Sequence, residues 1–208
     1  MSERRPEPFV LALTELRGRL RRGEIPLDRR LAATEIAAEL GLSATPVREA
    51  LSRLAGEGLL DDRRGEGFFV RRLSRVDVVS LYRLSFVHLA LAMELAGDHP
   101  PADQHPPTGD RVSDPVSWTE RLFAQWAADS GSRSLALNFA RLQTQLAAVR
   151  RLEPRLLEDL EGEAGELAAE VDHPPDRQRR LKAFISRRVR LAGRMAELLE
   201  QGAGAHSL

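Results

Sequence analysis

Two short groups of hydroxyl and arginine side chains in the first third of the chain have the types and spacing that suit nucleic-acid phosphates and bases. The first group opens a predicted helix, where hydroxyls suit phosphate oxygens and an arginine can donate two parallel hydrogen bonds to guanine O6 and N7. The second group lies at a turn, where glycine permits close backbone approach and arginines can reach phosphates or a narrow minor groove. The predicted DNA contacts are Ser43, Thr45, Arg48, Arg63, Arg64 and Gly65.

The elements predicted around these groups are three helices and a hairpin. Apolar residues recur at helical spacing over 8–22 and 31–40, which end at Gly23 and Gly41, and a third helix is predicted from Ser43 to about residue 55. Two apolar-tipped runs then flank the glycine-containing turn at 64–67. Two helices joined by a tight turn and followed by a hairpin are the order of a winged helix-turn-helix.

The run LGLSATPVREALSRLAGEGLL from Leu40 to Leu60, followed by GEGFFV from Gly65 to Val70, resembles the GntR family of bacterial regulators. The resemblance covers about residues 10 to 73 and implies a dimeric DNA-binding repressor or activator whose C-terminal domain senses a small molecule. Ala44 stands where the family usually has an arginine, and Thr34 where it usually has a charged residue. These departures predict an unusual base preference or affinity.

The remainder of the chain is predicted to be all α. A helix should run from Ser74 to about Gly97, a proline-rich loop should cover 98–115, and further helices should span about 116–129, 133–151, 154–171 and 176–200. The predicted fold class is therefore mostly α: a winged helix-turn-helix of three helices and a two-stranded hairpin over 1–73, then an all-α helical bundle over 74–208. The second domain is expected to sense an effector and to dimerise.

The second domain is similar to the FadR-like subgroup with its FCD-type helical domain, through Leu81-Tyr82 and the Ser130-Gly131 corner. Many such domains carry an Asp and three His that bind a metal, and here the first and last of those His would fall near Phe123 and Arg190. Because neither residue ligates as His does, we expect an atypical domain with no metal and no cofactor. Four of the five histidines lie in proline-rich connections or the tail, without helical metal spacing: His99, His105, His173 and His206.

A small organic effector in the helical domain is a further expectation. The candidate contacts are His88, Trp126, Asn138 and Arg190. The alternative for each side chain, and the commoner one at such positions, is packing or, for His88, a hydrogen bond within the core. Two alternatives stay open. The helical domain could serve dimerisation alone in an effector-independent regulator, or the winged helix could bind an acidic protein partner instead of DNA.

Composition excludes several classes of function. The 208 residues are 42% hydrophobic and 30% charged and contain no cysteine, so disulfides, thiolate metal sites and cysteine nucleophiles are ruled out. The net charge is zero, but residues 1–75 hold 15 arginines against 12 acidic residues. The sequence has no nucleophile-elbow serine motif, no phosphate-binding glycine loop and no His-Glu metal motif. We therefore expect that the protein is not an enzyme.

The expected location is the cytoplasm, with nucleoid association when bound to DNA. The first eight residues hold charges where a secretory signal would need an apolar run. Residues 76–96 have membrane-spanning length but carry Asp77, Arg83, His88 and Glu94, each costly in hydrocarbon. We therefore expect a buried helix there, covered partly by a homodimer partner, and no membrane contact.

Overall fold

The computed structural model describes residues 7–97, 110–169 and 174–204, and it is mostly helical with one small antiparallel sheet. The predicted fold class is confirmed. The described elements are α1 (Pro8–Arg22), β1 (Arg30–Leu31), α2 (Ala33–Leu40), α3 (Ala44–Gly56), β2 (Leu60–Arg63), β3 (Gly67–Val70), α4 (Arg75–Gly97), α5 (Pro115–Asp129), α6 (Arg133–Arg150), α7 (Glu153–Leu156), α8 (Leu160–Ala168) and α9 (Pro174–Gly204). Residues up to Leu73 and from Glu197 onward group as one compact unit, and Ser74–Ala196 group as another.

The core of the first unit is a stripe of apolar residues on each of its three helices. On α3, Val47, Leu51 and Leu54 are completely buried at helical spacing, and α1 contributes Leu16 and Leu20 to the same cluster. Burying each of these side chains contributes about 1.5–3 kcal/mol. This core holds α3 in place while its polar side stays in solvent.

The hairpin predicted after α3 is present, but it belongs to a three-stranded sheet. β2 and β3 pair antiparallel, with Leu60 opposite Val70, and β1 adds to the other edge of β3 with Arg30 opposite Phe69. The prediction of two strands was therefore wrong by one. β1 has only two residues, too few to show the alternation by which a strand is recognised in sequence.

Four helices of the second unit, α4, α5, α6 and α8, begin at polar caps. Ser74 and Asp77 cap α4 reciprocally, since the Asp77 amide donates to the Ser74 hydroxyl at 3.2 Å and the Ser74 amide to the Asp77 carboxylate at 3.0 Å.

The prediction of a single helix over 154–171 is wrong, because the chain turns between α7 and α8. Asp159 takes φ 56° there, and its side chain accepts from the Gly162 amide at 3.0 Å. Most of the predicted proline-rich loop, residues 98–109, lies outside the described residues.

Helix α4, expected to be buried partly by its own chain and partly by a homodimer partner, is covered by its own chain on one side only. By length and composition it could cross a membrane, which is weak evidence because core helices of soluble proteins meet the same test, and about 33% of the qualifying span is buried. Its exposed side includes large apolar side chains: Val76, Leu84, Val87 and Leu91. The apolar composition indicated an apolar environment for the whole helix, but this chain's own packing covers only part of its circumference.

Candidate nucleic-acid interface

The first turn of α3 presents free polar groups to solvent. Ser43 precedes the helix with an extended backbone, and its exposed hydroxyl makes no capping hydrogen bond. Thr45 and Arg48 are exposed, whereas Val47 between them is completely buried. The backbone N–H groups of a helix's first turn carry partial positive charge and attract phosphate. The turn that enters α3 is thus equipped to receive an anion and to aim Arg48 outward.

Arg48 and Arg64 are the two exposed candidate arginines that make no ion pair within the described part of the chain. Arg64 lies in the turn between β2 and β3, beside Gly65 at φ 82°, a backbone conformation that side chains other than glycine adopt at a cost. Both guanidiniums therefore keep all five donors available for an incoming partner.

Arg63 contacts other side chains of the protein, whereas its place at the hairpin turn predicted an arginine available to phosphate. Its guanidinium lies 4.0 Å from the centre of the Phe69 ring and donates a hydrogen bond to one carboxylate oxygen of Asp28. The other oxygen of Asp28 accepts from Arg72 at 2.7 Å. The hydrogen bond from Arg63, followed by that from Arg72, holds the pKa of the Asp28 carboxyl below its usual value despite some desolvation. Phosphate contact by Arg63 stays a prediction.

No feature of the sequence indicated that Asp28 would contact Arg63. The two residues are 35 positions apart, and the segment around Asp28 is predicted only as a loop between helices. The structure gives it a distinctive backbone, with φ 59° in the left-handed region where a residue other than glycine is uncommon. A hydrogen bond from its own amide to the Val70 carbonyl, at 2.9 Å, ties this turn to β3.

The four candidate effector residues are not gathered into one buried site. His88 is half-buried, and its ring shares a 2.8 Å hydrogen bond with a backbone carbonyl of its own helix. Trp126 is half-buried against Phe123, with 5.5 Å between ring centres. Asn138 and Arg190 are exposed on their helices, so a pocket inside the bundle would not include them. Their role in binding an effector stays a prediction.

The interior of the helical unit contains a charged cluster that the sequence did not reveal. The Glu153 carboxylate is completely buried and accepts from Arg188 at 2.8 Å, from Tyr82 at 2.9 Å and from Arg150 at 3.2 Å. Both arginines are themselves buried, at 4% and 1% exposure. Burial opposes ionisation of Glu153, but Arg150 and Arg188 outweigh it and lower its pKa.

This cluster joins all the helices of the second unit. Arg150 also donates to the Thr119 hydroxyl of α5 at 2.6 Å, and Arg188 of α9 lies 2.9 Å from a carboxylate oxygen of Glu163 in α8. Tyr82 brings in α4, and Glu153 brings in α7. Charges buried in this way favour one arrangement of helices, because any other would leave a charge without its partner.

Phe123, where the resemblance would place the first metal-binding His, packs edge to face on Phe184 with 5.3 Å between ring centres. The Arg188 guanidinium stacks over that same Phe184 ring. Among the described residues no three His, Asp or Glu side chains form a group that could hold a metal ion. Four of the five histidines lie outside the described residues, and they are His99, His105, His173 and His206.

Comparison with known proteins identifies the first unit. Residues 12–70 match the family model described as bacterial regulatory proteins, gntR family. The N-terminal domain belongs to the GntR family. The chain is 40% identical over 77 residues to a probable D-xylose utilization operon transcriptional repressor of Paenarthrobacter nicotinovorans, covering 37% of this chain and 34% of that protein. It is 46% identical over 55 residues to the Nta operon transcriptional regulator of Aminobacter aminovorans, covering 26% of each.

The chain thus spans about a third or less of the length of these two curated relatives. Both relatives are named as transcriptional regulators, which are not enzymes. Solved structures match over nearly the whole chain. E. coli McbR/YncC aligns with a TM-score of 0.69 at 15% identity, over 90% of this chain and 98% of that one. A GntR regulator from Rhodococcus sp. RHA1 aligns with a TM-score of 0.59 at 17% identity, over 95% and 96%. At these identities the likeness shows a shared fold.

Proposed function

We propose that this protein is a transcriptional regulator that binds a palindromic operator as a homodimer. The observation that carries the proposal is the first turn of α3. There Arg48, which has no ion pair within the described residues, and the exposed Ser43 and Thr45 face solvent above a completely buried apolar stripe. Such a helix presents its start to the major groove, and the arginine at the tip of the β2–β3 turn adds a phosphate contact. The GntR match over residues 12–70 supports DNA as the partner.

Selection from random duplex DNA tests the proposal. We expect the purified protein to enrich a short palindrome, and we expect the binding constant for that site to fall steeply with salt, since each neutralised phosphate contributes a slope of about −0.9 in log K against log salt. Enrichment of no sequence, together with a flat salt dependence, would instead favour an acidic protein partner for the winged helix. The selected sequence also shows whether Ala44 and Thr34 alter base preference.

The exposed side of α4 is the surface we propose for dimerisation. Four of the seven large hydrophobic side chains that are exposed in the described structure lie on this helix, and Leu84, Val87 and Leu91 follow one another at the spacing of a single helical face. Such a concentration of exposed apolar surface marks an interaction site. A two-fold pair doubles the base contacts of one small module and requires spaced half-sites.

Replacing Val87, which is 58% exposed, with arginine is expected to convert the dimer into a monomer, because two like charges would face each other across a desolvated apolar contact. Sedimentation of the variant at micromolar concentration measures this. Ala124→Arg adds the same charge at an exposed position on α5 and is expected to leave the mass unchanged. A dimer that persists in Val87→Arg would place the dimer contact elsewhere.

The remaining functional assignments are also proposals. Repression is supported by the name of the Paenarthrobacter relative, and a FadR-like helical domain by Leu81-Tyr82 and the Ser130-Gly131 corner. For an organic effector, His88 and Trp126 are the candidates whose half-buried side chains can line a pocket. We propose a cytoplasmic protein without membrane contact, in which a partner protomer covers the exposed side of α4.

A further inference from the structure

The contact between Asp28 and two arginines ties the segment before β1 to the hairpin, whose turn carries the proposed phosphate contact Arg64. Arg63 ends β2, one residue before the exposed Arg64, and Arg72 follows β3 by two residues. Both donate to the same carboxylate, which is about a quarter exposed at 27%. One cation of the hairpin, Arg63, and one that directly follows it, Arg72, are therefore already neutralised in part by an internal anion.

The turn at Asp28 is held by backbone hydrogen bonds, which leave its carboxylate available to the arginines. A non-glycine residue at φ 59° is uncommon, and Asp and Asn are the side chains that tolerate it. The amide of Asp28 donates to the Val70 carbonyl, and the carbonyl of Arg29 accepts from the Val70 amide at 3.0 Å. These backbone bonds fasten the turn to β3 without the carboxylate, so the carboxylate itself is free to serve the arginines.

We infer that Asp28 competes with DNA phosphate for Arg63 and Arg72 and thereby limits the contribution of the wing to DNA affinity. A phosphate that approaches the wing must take a guanidinium from the carboxylate, and the carboxylate that remains repels the phosphate. The internal pair costs the protein little in the free state and lowers its affinity for DNA of any sequence. Recognition would then depend more on the base contacts of α3. This inference rests on the proposed DNA-binding function.

The test uses full-length protein, a random-sequence duplex and the selected operator, titrated at several salt concentrations. Asp28→Asn keeps a side chain that tolerates the left-handed backbone, and Asp28→Gly removes the side chain without backbone strain. Both variants are expected to bind the random duplex about five- to tenfold more tightly at low salt, because one negative charge near the phosphates is gone. The slope of log K against log salt should steepen by about 0.9 for each additional phosphate contact.

The matched control is Asp62→Asn, which removes one negative charge from the exposed side of β2, where no arginine contact is found within the described structure. It should gain less than Asp28→Asn. In an Arg63→Ala background the gain from Asp28→Asn should shrink, since Arg63 is no longer there and only Arg72 is freed. Unchanged melting temperatures would show that the gain does not come from folding.

The outcomes separate this inference from the proposed function. If the wild type binds duplex DNA but Asp28→Asn binds equally or more weakly, or gains no more than Asp62→Asn, Asp28 does not compete with phosphate and the inference is overturned. If neither wild type nor variants bind any duplex with a salt-dependent affinity, the proposed function itself fails. A tighter and more salt-dependent Asp28→Asn whose gain needs Arg63 supports both.

Discussion

Glu153→Ala is expected to lower the free energy of unfolding of the helical unit by about 3–5 kcal/mol, the usual effect of breaking a buried ion pair from one side. The substitution leaves Arg150 and Arg188 as buried cations without their shared carboxylate and leaves the buried Tyr82 hydroxyl without an acceptor. The dominant effect is thus the uncompensated charge, and the lost packing of a short helix adds to it.

The two tryptophans of the chain, Trp118 and Trp126, both lie in the helical unit, so urea unfolding followed by their fluorescence reports on this unit. Glu158→Ala removes an exposed carboxylate five residues away and should change stability by less than about 0.5 kcal/mol. Glu153→Gln keeps the shape and removes the charge, so it should also be strongly destabilising. A loss below about 1 kcal/mol in Glu153→Ala would mean that water or rearrangement compensates the two arginines.

The same carboxylate predicts a dependence of stability on pH. Its folded pKa is lowered by Arg150 and Arg188, despite burial, relative to an unfolded value of about 4.3. Its contribution is therefore complete above the unfolded pKa and is lost as the pH falls through the folded pKa. The stability difference between the wild type and Glu153→Ala should consequently shrink in acid. A difference independent of pH would assign the effect to packing.

Arg48→Ala is expected to weaken binding to the selected operator by about 1–3 kcal/mol, which is roughly 5- to 150-fold, because a bidentate hydrogen bond to guanine or a contact with phosphate is lost. The melting temperature should stay the same, since the side chain is exposed and makes no contact within the described structure that its removal would break. Fluorescence anisotropy with a labelled operator measures the affinity.

Two variants sharpen the result for Arg48. Arg48→Lys keeps the charge but not the two parallel donors, so it should recover random-duplex affinity while losing discrimination at one base pair. Arg53→Ala removes the same charge from the far end of α3, where the arginine pairs with Glu57 at 2.9 Å, and should change operator affinity only slightly. If Arg48→Ala stays within about twofold of the wild type, α3 does not use this arginine to bind DNA.

Elements with a strong local signal could be predicted from the sequence. The apolar spacing of 8–22, closed by Gly23, predicts α1 within its observed bounds, Pro8–Arg22. The helical signal around Ser43 locates α3 together with the exposed residues at its start. The reason is that a helix is stabilised by neighbours three and four residues away, and its ends by caps that lie in the same stretch of chain.

Contacts between distant segments could not be predicted in this way. β1 forms because residues 30–31 pair with β3. The hydrogen bond between Arg63 and Asp28 depends on the same strand pairing. The buried cluster assembles Glu153 with Arg150, Arg188 and Tyr82, residues that each read as ordinary surface or core positions in their own helix.

The sequence by itself thus determined the domain class, the position of α3 and the arginine proposed to read DNA, since these follow from local periodicity, capping and residue type. Only the tertiary structure decided which charges are free and which are neutralised. Arg48 and Arg63 look alike in sequence, yet within the described part of the chain Arg48 makes no ion pair, whereas Arg63 is bound to Asp28. The physical reason is that the availability of a charge depends on the groups that folding brings within a few ångströms, and sequence spacing does not specify them.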